Sequence, residues 1–174
     1  MVKIATRLTE AELRARARAL RLVLTDCDGV LTDAGVYYSA SGEELRRFSV
    51  RDGMGFELLR NAGLVCGILS GEASPMIGAR ALKLRLEEVH LGVRDKGARL
   101  AELLASRGLE GSSCAYVGDD VNDLEVLRAL EGGLTACPAD AVAQVKDLVH
   151  VILPSPGGLH AFRAFADLVL SQRS

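Results

Sequence analysis

No block of one charge sign runs through this sequence: 21 basic residues stand against 23 acidic ones, for a formal net charge of -2. A surface that tracks a phosphate backbone needs clustered positive charge, so nucleic acid is not expected as a partner. No apolar run approaches the ~20 residues of a membrane span, and MVKIATRLTE at the N-terminus has no signal-peptide core. No membrane partner is expected either. The four cysteines (Cys27, Cys66, Cys114, Cys137) lack CxxC spacing and sit mostly inside apolar runs. They read as reduced packing residues of a cytoplasmic protein. There is no GxxxxGK[ST] segment, which excludes a P-loop nucleotide hydrolase. The three histidines, His90, His150 and His160, have no metal-ligand spacing. No internal repeat, low-complexity stretch or interdomain linker interrupts the 174 residues.

What is present suits one compact α/β domain spanning 1–174. Short apolar runs at Leu22–Thr25, Leu64–Leu69, Ala115–Val117, Leu134–Ala136 and Val149–Leu153 lack polar alternation. They fit strands buried on both faces of a parallel sheet, with a less apolar one at Glu88–Leu91. Helical patterns lie between them, near Gly53–Asn61, Pro75–Leu84, Lys96–Arg107, Asn122–Leu130 and Leu159–Leu170. The alternation implies a Rossmann-like three-layer α/β/α sandwich. Thr9 and Glu12 form a capping-box signature for an opening helix. Val36–Ser39 and Leu45–Val50, around Ala40–Glu43, read as a β-hairpin inserted over 33–50.

In open α/β sheets reactive groups gather at the carboxyl ends of strands. Here those ends carry Thr25-Asp26-Cys27-Asp28-Gly29, Ser70-Gly71-Glu72 and Gly118-Asp119-Asp120-Val121-Asn122-Asp123, with Lys96 opening a helix nearby. Aspartates at strand ends also cap turns, but crowded carboxylates suit a hard cation such as Mg²⁺, which takes carboxylate oxygens together with a substrate phosphate. Arginine outnumbers lysine 17 to 4, so Lys96 is an uncommon choice in this chain and a compact point charge. A hydroxyl, a lysine and several acids on adjacent strand ends suit phosphoryl transfer to a carboxylate nucleophile.

DCDGVLT, LSG, Lys96 and GDDVND, in this order, resemble the haloacid dehalogenase-type phosphatases over essentially everything after Arg21. The resemblance implies Asp26 as nucleophile, Asp28 as general acid/base, and Ser70 and Lys96 as holders of the phosphoryl oxygens. It further implies Mg²⁺ held by Asp26, the Asp28 carbonyl and Asp119, with Asp123 as support or a further ligand.

The hairpin, the segment GEELRRFSVRDGMG (Gly42–Gly55) and the absence of a large cap resemble a narrower group. These are the small tetrameric phosphatases of 3-deoxy-2-ulosonate phosphates, acting on 3-deoxy-D-manno-octulosonate (KDO) 8-phosphate or a nonulosonate (KDN) 9-phosphate. That likeness implies a homotetramer in which one subunit's hairpin covers its neighbour's site. Thr32, Arg51, Gly71, Glu72, Arg80 and Lys83 would then bind a phosphorylated sugar acid. Two features depart from the octulosonate pattern. Gly71-Glu72 stands where those enzymes carry Gly-Arg, and the tail Gly157-Gly158-Leu159-His160 lacks the third glycine of GGxGAxRE.

Two other classes remain to be distinguished. A phosphoaccepting receiver domain shares the acids, the hydroxyl and the lysine, but lacks DxD and the hairpin. A catalytically weak oligomerisation domain accompanying sugar-nucleotide synthesis would not need the intact acidic set.

Overall fold

The computed structural model describes residues 4–174. In chain order its strands are β1 (Ala5–Thr6), β2 (Leu22–Thr25), β3 (Tyr37–Ser39), β4 (Gly42–Leu45), β5 (Val65–Leu69), β6 (Glu88–His90), β7 (Cys114–Val117), β8 (Leu134–Cys137) and β9 (Val151–Ile152). The helices are α1 (Glu10–Ala19), α2 (Val50–Asn61), α3 (Pro75–Lys83), α4 (Lys96–Arg107), α5 (Leu124–Ala129), α6 (Ala143–Lys146) and α7 (Ala161–Arg173).

Seven strands form one sheet in the order β1-β9-β8-β7-β2-β5-β6. Every pairing is parallel except β1 with β9. The chain runs outward from β2 through β5 to β6, then returns to β7 on the other flank of β2. This reversal opens a crevice at the carboxyl ends of β2 and β7.

Alternate residues of each strand enter opposite cores, as the two-residue repeat demands. Val23, Cys66, Ile68 and Ala115 pack on one face with Phe56 of α2, Ile77 of α3 and Phe162 of α7. Leu22, Leu24, Cys114 and Tyr116 pack on the other with Leu100 of α4 and Val126 of α5. Phe56 and Phe162 stack with ring centroids 4.0 Å apart, joining α2 to α7. All four cysteines are free and buried, and burial pushes the Cys66 and Cys114 thiols up to about 12.

The capping box at α1 is present: Glu12 N donates to Thr9 Oγ1 at 3.3 Å, and Thr9 N donates to Glu12 Oε2 at 2.8 Å. The hairpin differs in register from the expected one. Tyr37–Ser39 pairs with Gly42–Leu45, so the second strand ends at Leu45 instead of beginning there. Gly42, at φ +117°, makes the tighter turn possible. Ser49 then caps α2 by accepting from Arg51 N and Asp52 N, and the helix starts at Val50 rather than Gly53. The helix expected near Asn122 opens as a 3₁₀ turn, Val121–Asp123, before α5.

Candidate active site

β2 delivers Asp26 to the crevice, and the Asp26 N–H donates to Val117 O at 2.9 Å. Its Oδ1 accepts from Cys27 N at 2.7 Å and lies 3.0 Å from Lys96 Nζ. Lys96 is the first residue of α4, whose N-terminus is capped by Asp95 accepting from Ala98 N. The lysine's side chain is only 1% exposed and also reaches Asp123 Oδ1 at 2.7 Å. Tyr116, from the middle of β7, donates its hydroxyl to that same Asp123 oxygen at 2.7 Å. Asp123 Oδ2 accepts from Asp119 N at 2.9 Å and Asp120 N at 3.4 Å. Asp123 thus spends both oxygens bracing its neighbours, a geometry that favours support over direct metal ligation.

Two glycines allow this crowding. A Cβ on Gly29, which also has φ +86°, would stand 1.9 Å from Asp119 Oδ2. A Cβ on Gly118 would stand 2.5 Å from Asp123 Oδ2. Any larger residue at either position would push the acids apart.

The electrostatics follow from this packing. Burial raises Asp26, the nearby Asp123 charge adds to the effect, and together they outweigh Lys96 and the Cys27 N–H, giving about 7. Burial, then Asp26, Asp123 and Asp120, push Asp119 up to about 8. Burial works against the Lys96 charge, but Asp26 and Asp123 prevail and hold the ammonium above its ordinary value.

Carboxylate oxygens of Asp26, Asp119 and Asp123 lie within 4.8 Å of one another. Asp119 Oδ1 is buried with no hydrogen-bond partner, a costly state for an ionised oxygen. Hard oxygens, one of them orphaned, facing a single ammonium fit a divalent cation such as Mg²⁺. Asp26 and Asp119 would hold it.

Asp28 has both oxygens engaged. Oδ1 accepts from Thr32 Oγ1 at 3.0 Å, and Oδ2 pairs with the Arg46 guanidinium. Thr32 is fully buried, so its hydroxyl serves Asp28 and does not line the crevice. Ser70 closes β5, and its Oγ accepts from Glu72 N at 3.1 Å. Asp26, Asp28, Ser70, Gly71, Glu72, Asp119 and Asp120 together line an open crevice of about 410 Å³.

Three expected binding residues lie elsewhere in this chain. Arg80 donates to Ser49 O at 2.8 Å and covers the Phe48 ring at 5.7 Å, tying α3 to the start of α2. Lys83 borders a separate depression with Glu57, Arg60 and Arg85. Arg51 is exposed in the first turn of α2. Arg46 and Tyr116 were not anticipated. Tyr116 sits inside an apolar run, where nothing marks its hydroxyl. Arg46 carried one signal, a cation two residues beyond the Glu43-Glu44 pair of the hairpin.

No family model matches the chain. It is 35% identical over 158 residues to the 3-deoxy-D-manno-octulosonate 8-phosphate phosphatase of Haemophilus influenzae, covering 91% of this chain and 87% of that protein. The Moraxella catarrhalis 3-deoxy-D-manno-octulosonate 8-phosphate phosphatase, solved with magnesium ion, phosphate ion and KDO, superposes with a TM-score of 0.88 at 31% identity. That match covers 93% of this chain and 92% of the other. The structure of a Pseudomonas syringae probable YrbI-family phosphatase superposes with a TM-score of 0.90 at 36% identity, over 94% of this chain and 92% of that one. With its acids and hydroxyl at three adjacent strand ends of this fold and its lysine opening α4, the chain belongs to the family of haloacid dehalogenase-type 3-deoxy-D-manno-octulosonate 8-phosphate phosphatases.

Proposed function

We propose that this chain is a Mg²⁺-dependent phosphatase of a 3-deoxy-2-ulosonate phosphate, with KDO 8-phosphate as the first substrate to test. The observation that carries the reading is the Asp26 carboxylate, held at 3.0 Å by buried Lys96 beside the orphaned Asp119 oxygen. The chain would act as one domain over 1–174, with the hairpin standing in for a cap.

Asp26 Oδ1 is committed to Cys27 N and Lys96, which leaves Oδ2 to attack phosphorus. As the new Asp26–phosphorus bond forms, the bond to the sugar oxygen breaks, and Asp28 gives that oxygen a proton. Asp28 then takes a proton from water. The water oxygen attacks phosphorus, the aspartyl–phosphorus bond breaks, and inorganic phosphate leaves with Asp26 restored. Ser70 and Lys96 hold the phosphoryl oxygens by hydrogen bond and charge. Bound Mg²⁺ supplies neutralisation of the phosphoryl charge.

One observation favours a second substrate. Glu72 lines the crevice where an arginine would meet an octulosonate, and a carboxylate there suits a nonulosonate 9-phosphate bearing a hydroxyl or amide donor. Turnover measured across a panel of sugar phosphates, with Mg²⁺ and with EDTA, tests the reading. Release of phosphate from neither ulosonate phosphate would overturn it.

Assembly as a homotetramer belongs to the same proposal. Tyr37, Tyr38 and Leu45 of the hairpin are 61%, 74% and 62% exposed, a costly apolar group to leave in water. Phe48 is not part of that patch, since it packs against the core beneath Arg80. Light scattering that gives a monomer at micromolar concentration would contradict this assembly. Nothing in the charge distribution calls for nucleic acid, and no helix among the described residues is long and apolar enough to cross a membrane.

A further inference from the structure

Arg46 lies just past β4, and its side chain is only 2% exposed although it belongs to the hairpin insert. A guanidinium that far from water needs partners, and it has three carboxylates around it. Nε donates to Glu43 Oε1 at 2.7 Å and Nη2 to Glu43 Oε2 at 3.0 Å, a two-pronged pair with a fixed plane. Nη1 pairs with Asp28 Oδ2. Nη2 also lies 3.8 Å from Glu72 Oε2. Glu43 is anchored in turn by Ser74 Oγ, which donates to it at 3.3 Å from the start of α3. The guanidinium is therefore fixed from behind by the hairpin and α3, with one prong presented to Asp28.

Asp28 needs such a support. It follows the end of β2 in a loop, where backbone pairing does not restrain the side chain. Thr32 holds one oxygen and Arg46 the other. Lys96 braces Asp26 and is itself held by Asp123, and neither of these two makes a bond to Asp28 among the described residues.

We infer that Arg46 is a positioning residue for Asp28, through which the hairpin and Glu72 set the orientation of the acid/base. This rests on the proposed role of Asp28. It gives the hairpin a task inside its own subunit, separate from covering a neighbour. It also joins the residue expected to choose the substrate, Glu72, to the residue that moves the proton, through one side chain.

The test compares Arg46→Ala with the parent enzyme on two probes: ribose 5-phosphate, an alkyl ester without a carboxylate, and p-nitrophenyl phosphate. The aryl leaving group departs without a proton, so kcat/KM on that ester does not depend on Asp28 as an acid. The expected result is a kcat/KM lowered about 30-fold on the alkyl ester, part of the ~100-fold or more that general acid catalysis supplies. On the aryl ester it should change less than about threefold, a difference worth ~0.7 kcal/mol. Arg46→Lys should recover part of the loss and guards against a variant that fails to fold. Equal losses on both probes, with no recovery by lysine, would overturn positioning in favour of a structural role. A raised KM with unchanged kcat on the alkyl ester would overturn it in favour of direct substrate contact. Near-native values on both would leave Arg46 without a role in catalysis. Asp26→Asn is run in parallel. If it is inactive while Arg46→Ala shows no selective loss, only the Arg46 inference fails; if it retains turnover, the proposed mechanism itself fails.

Discussion

Lys96 Nζ stands 3.0 Å from Asp26 Oδ1 and belongs to a different strand–helix unit of the chain. One ammonium thereby joins the end of β2 to Asp123 beyond β7, at 2.7 Å. The three groups are buried together, so each is stable there only because of the others.

Removing that ammonium should therefore damage the fold as well as the chemistry. Lys96→Ala leaves Asp26 and Asp123 facing each other without compensation, a change that costs about 3–5 kcal/mol for a broken buried pair. Urea unfolding checks it, with the midpoint expected to fall and phosphate release to cease. An unchanged midpoint would show that the pair is not holding the two strand ends together.

The raised carboxyls give metal binding a pH signature. Asp26 near 7 and Asp119 near 8 lie above the usual unfolded value of about 4, so the folded state binds their protons more tightly. Their contribution to stability is complete below about pH 4 and is lost as pH rises through about 7 to 8. Mg²⁺ binds the ionised oxygens, so it should restore what the metal-free protein loses. The rise in Tm on adding Mg²⁺ is expected to be several degrees larger at about pH 8.5 than at about pH 6. Equal rises at both pH values would contradict the metal reading of Asp26 and Asp119.

The glycine tail is packed beneath the nucleophile loop. A Cβ on Gly157 would stand 1.9 Å from Gly29 O and 3.0 Å from Thr32 O. Gly157→Ala should therefore cost about 1–3 kcal/mol by overpacking and lower kcat as the loop moves. Gly132→Ala, whose new carbon would meet nothing nearer than Ser112 Cβ at 3.9 Å, should stay within about 0.5 kcal/mol of the parent. Thermal unfolding of both variants decides it, and equal shifts would contradict the packing account.

Substrate choice should turn on Glu72. Glu72→Arg exchanges an acceptor for a donor at the crevice wall and is expected to move the ratio of kcat/KM from nonulosonate 9-phosphate towards KDO 8-phosphate. The change should be about 0.5–1.5 kcal/mol, the net contribution of one hydrogen bond made by a partly solvated group. Steady-state kinetics on both esters measures the ratio. An unchanged ratio would place Glu72, whose side chain is 63% exposed, among solvated residues.

The sheet was legible because its strands are short apolar runs, and the opening helix because it carries a capping box at Thr9. Asp26, Asp28, Ser70, Lys96 and Asp119 were legible for a related reason: strand ends place polar residues at one edge whatever the packing behind them. β1 and α6 were not, since two and four residues are too short to show a period. Arg46 and Tyr116 act through partners 18 and 7 residues away, Asp28 and Asp123, on separate elements, and periodicity carries no information about such pairs. Arg80 and Lys83 show what a helical period leaves open. Their helix was correctly placed, but which way each side chain turned depended on the neighbouring α2, against which Arg80 meets Ser49.

The most direct test of the account is turnover by Asp26→Asn with saturating Mg²⁺ and KDO 8-phosphate. The variant keeps the size and most hydrogen bonds of the parent side chain, so the fold should persist while phosphate release falls to background. An Asp26→Asn protein that folds and still releases phosphate at near-native rate would contradict Asp26 as the nucleophile.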